Sequence, residues 1–532
     1  MKKNTAKDWN NFKTEWEKEK YNFERISVFV GDNESELNFG WYSKTDEEPV
    51  IRFGKSKEPE DNPIFKGSTE KLEVYVGGFM VDYVINGTQY YSNKITVDGI
   101  ERNSVYYYQR QMYGKWEPVV TFKTYDPDSF NFIFMGDPQI GGSHGRYTKS
   151  NNYERTLSKN EGNRNDAYNW GITIDRSFNF TKTPSLLLTA GDQADEQTSN
   201  QADAKLAMAD YINQESQYSG YLLPDKLKEI PLANCVGNHE ANSENYRFHF
   251  NTPNPLLDFS KMGKWTSAGY SEKWFSGYNY FFKYNNVLVV ILETSNSVCE
   301  DFERTIEDAI KKYPYTDWRM AMFHHDIYGD GLTHSQRDEI IKNTRRCLTE
   351  AFTKHKFDLV INGHDHVYTA SKFITYKESA PFYTIQNVQK LNKSPKGIFF
   401  ITANCSSGSK YLDFEPTTPD YVYNHTQTYS PTFGVLDFKN DKDVVRLTIT
   451  SYDVETYHVT DGPYVIEKKP VEKPTTSITS STSKPTTVSS STTRQPSTVT
   501  SVTTTKSTKT LATNDVRPTR VAKEVMTFKT IK

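Results

Sequence analysis

Between Phe130 and Asn362 five apolar runs alternate with polar stretches: Phe130–Met135, Ser185–Ala190, Ile230–Val236, Trp318–Phe323 and Phe357–Asn362. Each is the length of a buried strand, and each ends abruptly in carboxylate, amide or imidazole side chains. The segments between them include Gln201–Tyr211, Phe302–Tyr313 and Ser335–His355, which have helical spacing, with Ser335 placed to cap the last and Glu339 nearby. Tyr280–Leu292 reads as one more buried strand, entered through Asn285-Asn286. Upstream the pattern changes. Glu24–Gly31, Leu37–Tyr42, Lys71–Val76, Ser92–Val97, Ser104–Arg110 and Trp116–Thr124 are short runs separated by turn residues, which predicts a small all-β sandwich over 23–126. Residues 1–22, with Trp9 and Trp16, predict a short helix packed on the body.

The runs of the middle segment, 127–461, lead into Gly136-Asp137-Pro138-Gln139, Gly191-Asp192-Gln193-Ala194-Asp195, Gly237-Asn238-His239-Glu240, His324-His325-Asp326 and Gly363-His364-Asp365-His366. Any one of these is a turn or a cap in most proteins. Five in order at strand ends bring distant residues to one sheet edge. Asp137, Asp192, Asn238, His324, His364 and His366 then form a mixed oxygen and nitrogen donor set, suited to iron, zinc or manganese rather than calcium or magnesium. Hydrolysis of a phosphate ester needs a hydroxide at moderate pH, a clamp on the phosphate oxygens and a proton for the leaving group. Two cations sharing a carboxylate supply the first two.

The arrangement resembles the calcineurin-like metallophosphoesterases and, within them, the purple acid phosphatases, over about residues 23–456. The resemblance implies a four-layer α-β-β-α sandwich, two mixed sheets face to face with helices outside, preceded by a fibronectin type III-like sandwich whose likeness rests on Ser92–Thr124. It implies that Asp192 bridges two metal ions, that Asp137 and His366 hold the first, and that Asn238, His324 and His364 hold the second. His239 would stand just outside as leaving-group acid or phosphate contact, and His334, ten residues after His324, would contact phosphate from the loop Tyr328–His334. Two positions depart from the family. Asp195 stands where purple acid phosphatases carry the tyrosine that colours their ferric iron, which puts the violet band in doubt. Gln139 stands where many relatives carry histidine, and it either ligates the first metal or holds a ligand in place. Asp195 could likewise ligate, or hydrogen-bond a ligand. His325, next to a ligand on a strand end, should point the other way.

Phosphate monoester hydrolysis is the favoured activity. A phosphodiesterase or nucleotide pyrophosphatase on the same site, and an inactive surface-binding protein, are the alternatives. The formal net charge of −3, without a basic stripe, disfavours nucleic acid as a partner, and no run of eighteen apolar residues exists to span a membrane. The expected partner is a small phosphorylated substrate. The polar stretch Gly142–Asp166 is a candidate substrate-facing loop. After Asp461 the composition turns to Ser and Thr, which predicts a disordered linker or O-glycosylated stalk over 462–512 and a short tail over 513–532, with possible cell-surface or carbohydrate association. That stalk and the sequons at Asn86, Asn179, Asn392 and Asn424 suit a secreted or cell-surface protein, although no signal peptide is visible. Of four cysteines, Cys235 reads as a buried apolar residue, and Cys299 and Cys347 could pair across the His324 segment.

Overall fold

A computed structural model describes residues 5–76, 79–198, 204–257, 276–332, 334–335 and 339–472. The expected tail, 513–532, and residues 473–512 of the expected linker lie outside them.

Among the described residues two large sheets dominate. The first has eleven strands in the order Leu391–Lys393, Val459–Lys468, Val445–Asp453, Thr432–Asn440, Ser129–Met135, Leu186–Thr189, Leu232–Asn234, Ser27–Val30, Leu37–Ser43, Tyr91–Val97 and Ser68–Lys71. The second has seven: Tyr280–Tyr284, Val287–Ile291, Trp318–Met322, Leu359–Asn362, Phe399–Thr402, Tyr368–Ser371 and Val422–Thr426. All five apolar runs that precede the motifs are strands of these sheets, three in the first and two in the second. They are parallel where they pair, as for Ile133 with Leu187 and Ala321 with Val360. Parallel strands covered on both faces read as continuous apolar runs, which is why they were visible in the sequence. Phe132, Leu187, Leu232, Val289, Met320 and Ile361 belong to one continuous core.

Among the described residues the α-helices are α1 (Ala6–Glu19), α2 (Lys159–Thr181), α3 (Ala204–Tyr221), α4 (Asn245–His249), α5 (Cys299–Lys312) and α6 (Glu339–Lys354). Helix α1 starts with a Thr5–Asp8 capping box and buries Trp16 completely, with the indole N–H donating to Asn160 at 3.3 Å. Helix α3 runs ten residues beyond the end expected at Tyr211. Helix α6 begins at Glu339, so Ser335 precedes it by four residues, with 336–338 outside the described set.

Three expectations change. Tyr280–Leu292 is a hairpin of two strands, not one, because Asn285 turns left-handed at φ 53° between Tyr284 and Val287. Asparagine tolerates that conformation, and Asn285-Asn286 is the turn itself. The polar stretch after the first motif is a loop only to Ser158. From Lys159 it is helix α2, opened by a Ser158–Glu161 capping box. The helix was hidden because part of its buried face is polar: Asn163 points inward and donates to Asn213 of α3, and Asp166 accepts the amides of Gly141 and Ser143. At the other end, Val459–Lys468 is a strand of the eleven-stranded sheet, so ordered structure continues past Asp461.

The front β-segment forms a sandwich whose core joins Val28, Phe39, Trp41, Ile51, Phe53, Ile95, Tyr106 and Phe122. One of its layers is the end of the eleven-stranded sheet: Phe29 pairs in parallel register with Leu232. Behind this seam Glu215 of α3 accepts hydrogen bonds from Tyr42 at 2.8 Å, Tyr83 at 3.2 Å and His249 at 2.7 Å, and Tyr42 stacks on His249 at 4.2 Å. A disulfide between Cys299 and Cys347 ties α5 to α6 across a 48-residue separation that contains His324. Such a cross-link contributes roughly 2–5 kcal/mol. Cys235 and Cys405 are buried free thiols.

Candidate metal centre

The five motifs converge at the C-terminal ends of the central strands. The chain turns sharply there. Asp137 (φ 40°), Gln139 (φ 36°), Asp192 (φ 47°), His364 (φ 72°) and His366 (φ 51°) all lie in the left-handed region. Each costs on the order of 1–3 kcal/mol and persists only where surrounding contacts dictate it. Those contacts are present. The His364 amide donates to both carboxylate oxygens of Asp137 at 3.0 Å, and the Gln139 amide donates to the Asp192 carbonyl at 2.7 Å. Glu240 ties two motifs together by accepting the amides of Gly237 and Ala194, both at 2.8 Å. Burial pushes its carboxyl up to about 8, with the Asp192 charge adding to the effect.

Four donor atoms crowd around one point. His324 Nε2 stands 2.9 Å from Asn238 Oδ1, 3.2 Å from His364 Nδ1 and 3.3 Å from Asp192 Oδ2, and His364 Nδ1 is 3.0 Å from Asn238 Oδ1. Ligands about 2.1 Å from a shared cation stand roughly 3.0–3.4 Å apart in octahedral or tetrahedral arrangement. The edges therefore fit one ion. A second group shares Asp192: donor atoms of Asp137, Asp192 and His366 lie within 4.8 Å of one another, all three residues buried.

The tautomers suit ligation. His324 Nδ1–H donates to the Ala190 carbonyl and His366 Nδ1–H to the Lys410 carbonyl, each at 2.9 Å, leaving both Nε2 lone pairs to the site. Burial holds His364 and His366 well below the usual imidazole range, hence neutral. Burial also disfavours charge on His324, but Asp192 and Asp137 outweigh it and hold its pKa at about 10. A proton there occupies the place of a cation and must leave when one binds. Asp137 is pushed up to about 8 by burial, which His324 opposes and Asp192 reinforces.

Gln139 and Asp195 divide the roles left open for them. The Gln139 amide nitrogen is 2.9 Å from His239 Nε2, while its buried Oε1 has no hydrogen-bond partner among the described residues. An orphaned carbonyl oxygen beside the Asp137–His366 group suits an oxygen ligand of that ion. The Asp195 carbonyl accepts the Nδ1–H of His239, and its carboxylate lies 3.8 Å from the same ring and 3.9 Å from His144. Asp195 thus orients His239. The imidazole of His239 is only 18% exposed and lies 3.8 Å from Asp192 Oδ2. His334 stacks on His364 at 4.4 Å and gives its Nδ1–H to the His364 carbonyl at 3.0 Å. His325 does not turn away from the site. Its ring lies 4.8 Å from that of His364, held by Thr294 at 2.8 Å.

Sequence reasoning missed one wall of the centre. Residues 404–415 bond the first motif, where Ser406 N–H donates to the Gly136 carbonyl at 2.9 Å, and also the His334 loop, where Leu332 N–H donates to the Asp413 carbonyl at 2.8 Å. Gln427 fastens this wall by donating to the carbonyls of His366 and Leu412 at 2.8 and 2.6 Å. The available signal was the familiar one: an apolar strand, Phe399–Thr402, followed at once by polar Asn404–Lys410.

Residues 130–368 match the family Calcineurin-like phosphoesterase, and residues 23–124 match Purple acid Phosphatase, N-terminal domain. No curated protein matches the chain in sequence. Among solved structures it is similar to a purple acid phosphatase isolated from yellow lupin (Lupinus luteus) seeds, with a TM-score of 0.55 and 15% identity over 84% of this chain and 74% of that one. It also aligns with PhoD, with a TM-score of 0.49 and 12% identity over 84% of this chain and 95% of that one. With a calcineurin-like phosphoesterase domain over 130–368 preceded by a purple acid phosphatase N-terminal domain over 23–124, the chain is a purple acid phosphatase-like, metal-dependent phosphoesterase.

Proposed function

We propose that the protein hydrolyses phosphate monoesters at a dinuclear centre. One ion would be held by Asn238, His324, His364 and Asp192, and the other by Asp192, Asp137, His366 and the Gln139 carbonyl oxygen. The observation that carries this reading is the set of 2.9–3.3 Å edges among Asn238, His324, His364 and Asp192, with Asp192 shared by the second group. Two cations so held supply a nucleophilic water at moderate pH and a clamp on phosphate oxygens. The chain does the rest. The Nδ1–H of His239 donates to the Asp195 carbonyl, which turns Nε2 to the inner face of the site, where the ring serves as leaving-group acid or phosphate contact. His334, stacked on His364, contacts the phosphate at the rim.

Iron, zinc and manganese suit these donors, and Asp195 in place of tyrosine removes the source of a violet band. Elemental analysis with a visible spectrum and p-nitrophenyl phosphate turnover tests the whole reading. About two metal ions per chain, turnover and no violet absorption are expected. A chain that binds neither zinc nor manganese at saturation and turns nothing over would sink it.

The front sandwich is read as fibronectin type III-like, and the protein as secreted or cell-surface and glycosylated, with 473–512 as the stalk. The Cys299–Cys347 disulfide and the exposed Asn86 and Asn179 support this. Asn392 does not: it is buried and donates to the Gln389 and Val465 carbonyls. Thiol titration of denatured, unreduced protein from culture medium should find two free thiols. Four free thiols would count against secretion.

A further inference from the structure

We propose that Lys410 is a specificity-determining residue of this site, its ammonium binding the second negative charge of the phosphoryl group and so favouring monoesters over diesters. The inference rests on the phosphoesterase reading above.

Lys410 sits at the middle of the 404–415 wall, and its backbone is fixed from both sides. Its carbonyl accepts the Nδ1–H of His366, a member of the Asp137–Asp192–His366 donor group. Upstream, Cys405 lies in a β-bridge with Gly136 and its thiol donates to the Asp137 carbonyl at 3.3 Å. Downstream, the Glu415 amide donates to the Asp330 carbonyl at 3.0 Å, beside the loop that carries His334. The residue therefore stands between the metal-ligand edge and the expected phosphate contact.

The side chain is half-buried, and among the described residues no carboxylate, hydroxyl or ring partners its ammonium. A lysine so placed packs its stem on the wall and leaves its ammonium free to meet an arriving anion. An anion between the His366 edge and the His334 loop would meet the wall that carries Lys410. A monoester presents two negative charges there and a diester one, so a fixed cation at this position discriminates by charge rather than by shape.

The test compares kcat/KM of wild type, Lys410→Gln and Lys410→Arg, as metal-loaded full-length chains, on p-nitrophenyl phosphate and bis(p-nitrophenyl) phosphate. Loss of one partly screened charge should lower the monoester value about 10-fold and the diester value at most about 3-fold, chiefly through KM, with arginine restoring the ratio. Equal losses on both substrates, or failure of arginine to restore the ratio, would overturn the assignment. Calorimetric binding of inorganic phosphate separates this proposal from the one beneath it. Wild type that turns over neither ester, yet binds phosphate about 10-fold more tightly than Lys410→Gln, would defeat the phosphoesterase reading and keep Lys410 as an anion site. No difference in phosphate binding defeats the role of Lys410.

Discussion

Replacement of Asp192 by asparagine is expected to lower kcat by about a thousand-fold or more and to reduce bound metal from two ions toward one or none. The effect should be this large because one side chain serves both halves of the centre. Asp192 Oδ2 lies 3.3 Å from His324 Nε2, and the same carboxylate belongs to the group with Asp137 and His366. Its Oδ1 also accepts the His239 amide at 3.1 Å, so the motif that carries Asn238 loses an anchor too. Asparagine keeps the shape but removes the charge and offers one acceptor instead of two. Far-UV circular dichroism should be unchanged, which separates loss of the centre from loss of the fold. Undiminished turnover by the folded variant would refute the shared-ligand assignment.

The second large effect needs no ligand to be touched. A Cβ at Gly237 would lie 1.9 Å from Asp192 Oδ1 and 2.3 Å from the Asp192 backbone nitrogen. No rotamer relieves a clash with a backbone atom, so the Gly237–His239 turn or the Asp192 turn has to move. Misplacement by about 1 Å can cost 100-fold in rate. Gly237→Ala is therefore expected to lose about 100-fold or more in kcat, with about 1–3 kcal/mol of stability. Gly171→Ala provides the comparison. It lies in α2 with nothing within 4 Å of its Cβ position, and it should keep full activity and gain up to about 1 kcal/mol. If the two variants behave alike in kinetics and urea unfolding, the close approach of the two turns is not what holds the centre.

What could be read from the sequence followed from burial. Strands covered on both faces must be apolar throughout, so Leu186–Thr189 and Leu359–Asn362 stood out, and the polar residues that closed them marked the site. The first turns of helix α2 did not stand out, because Asn163, Asn165 and Asp166 face inward there and the apolar stripe of Ala167, Trp170, Ile174 and Phe178 begins only after them. The ligand set was legible because its members follow strands immediately. The work of Glu240, Gln427 and Lys410 was not, because it depends on which backbone groups lie opposite in three dimensions, and one sequence does not show that. Gln139 and Asp195 were ambiguous for a related reason: whether a side-chain oxygen faces a cation or a neighbouring ring is decided by turn geometry, here by the left-handed backbone at Gln139.

The parallel pairing of Phe29 with Leu232 bears on how such a chain could have evolved. Its front and rear portions are not beads that recombination can exchange freely. A descendant inheriting only the rear portion would leave Leu232–Asn234 with bare amide and carbonyl groups along one side, a template for self-association. It would also strand Glu215 and His249 without the tyrosines that cover them. Loss of the leading portion is therefore tolerable only in a lineage that first acquires another cap for that margin.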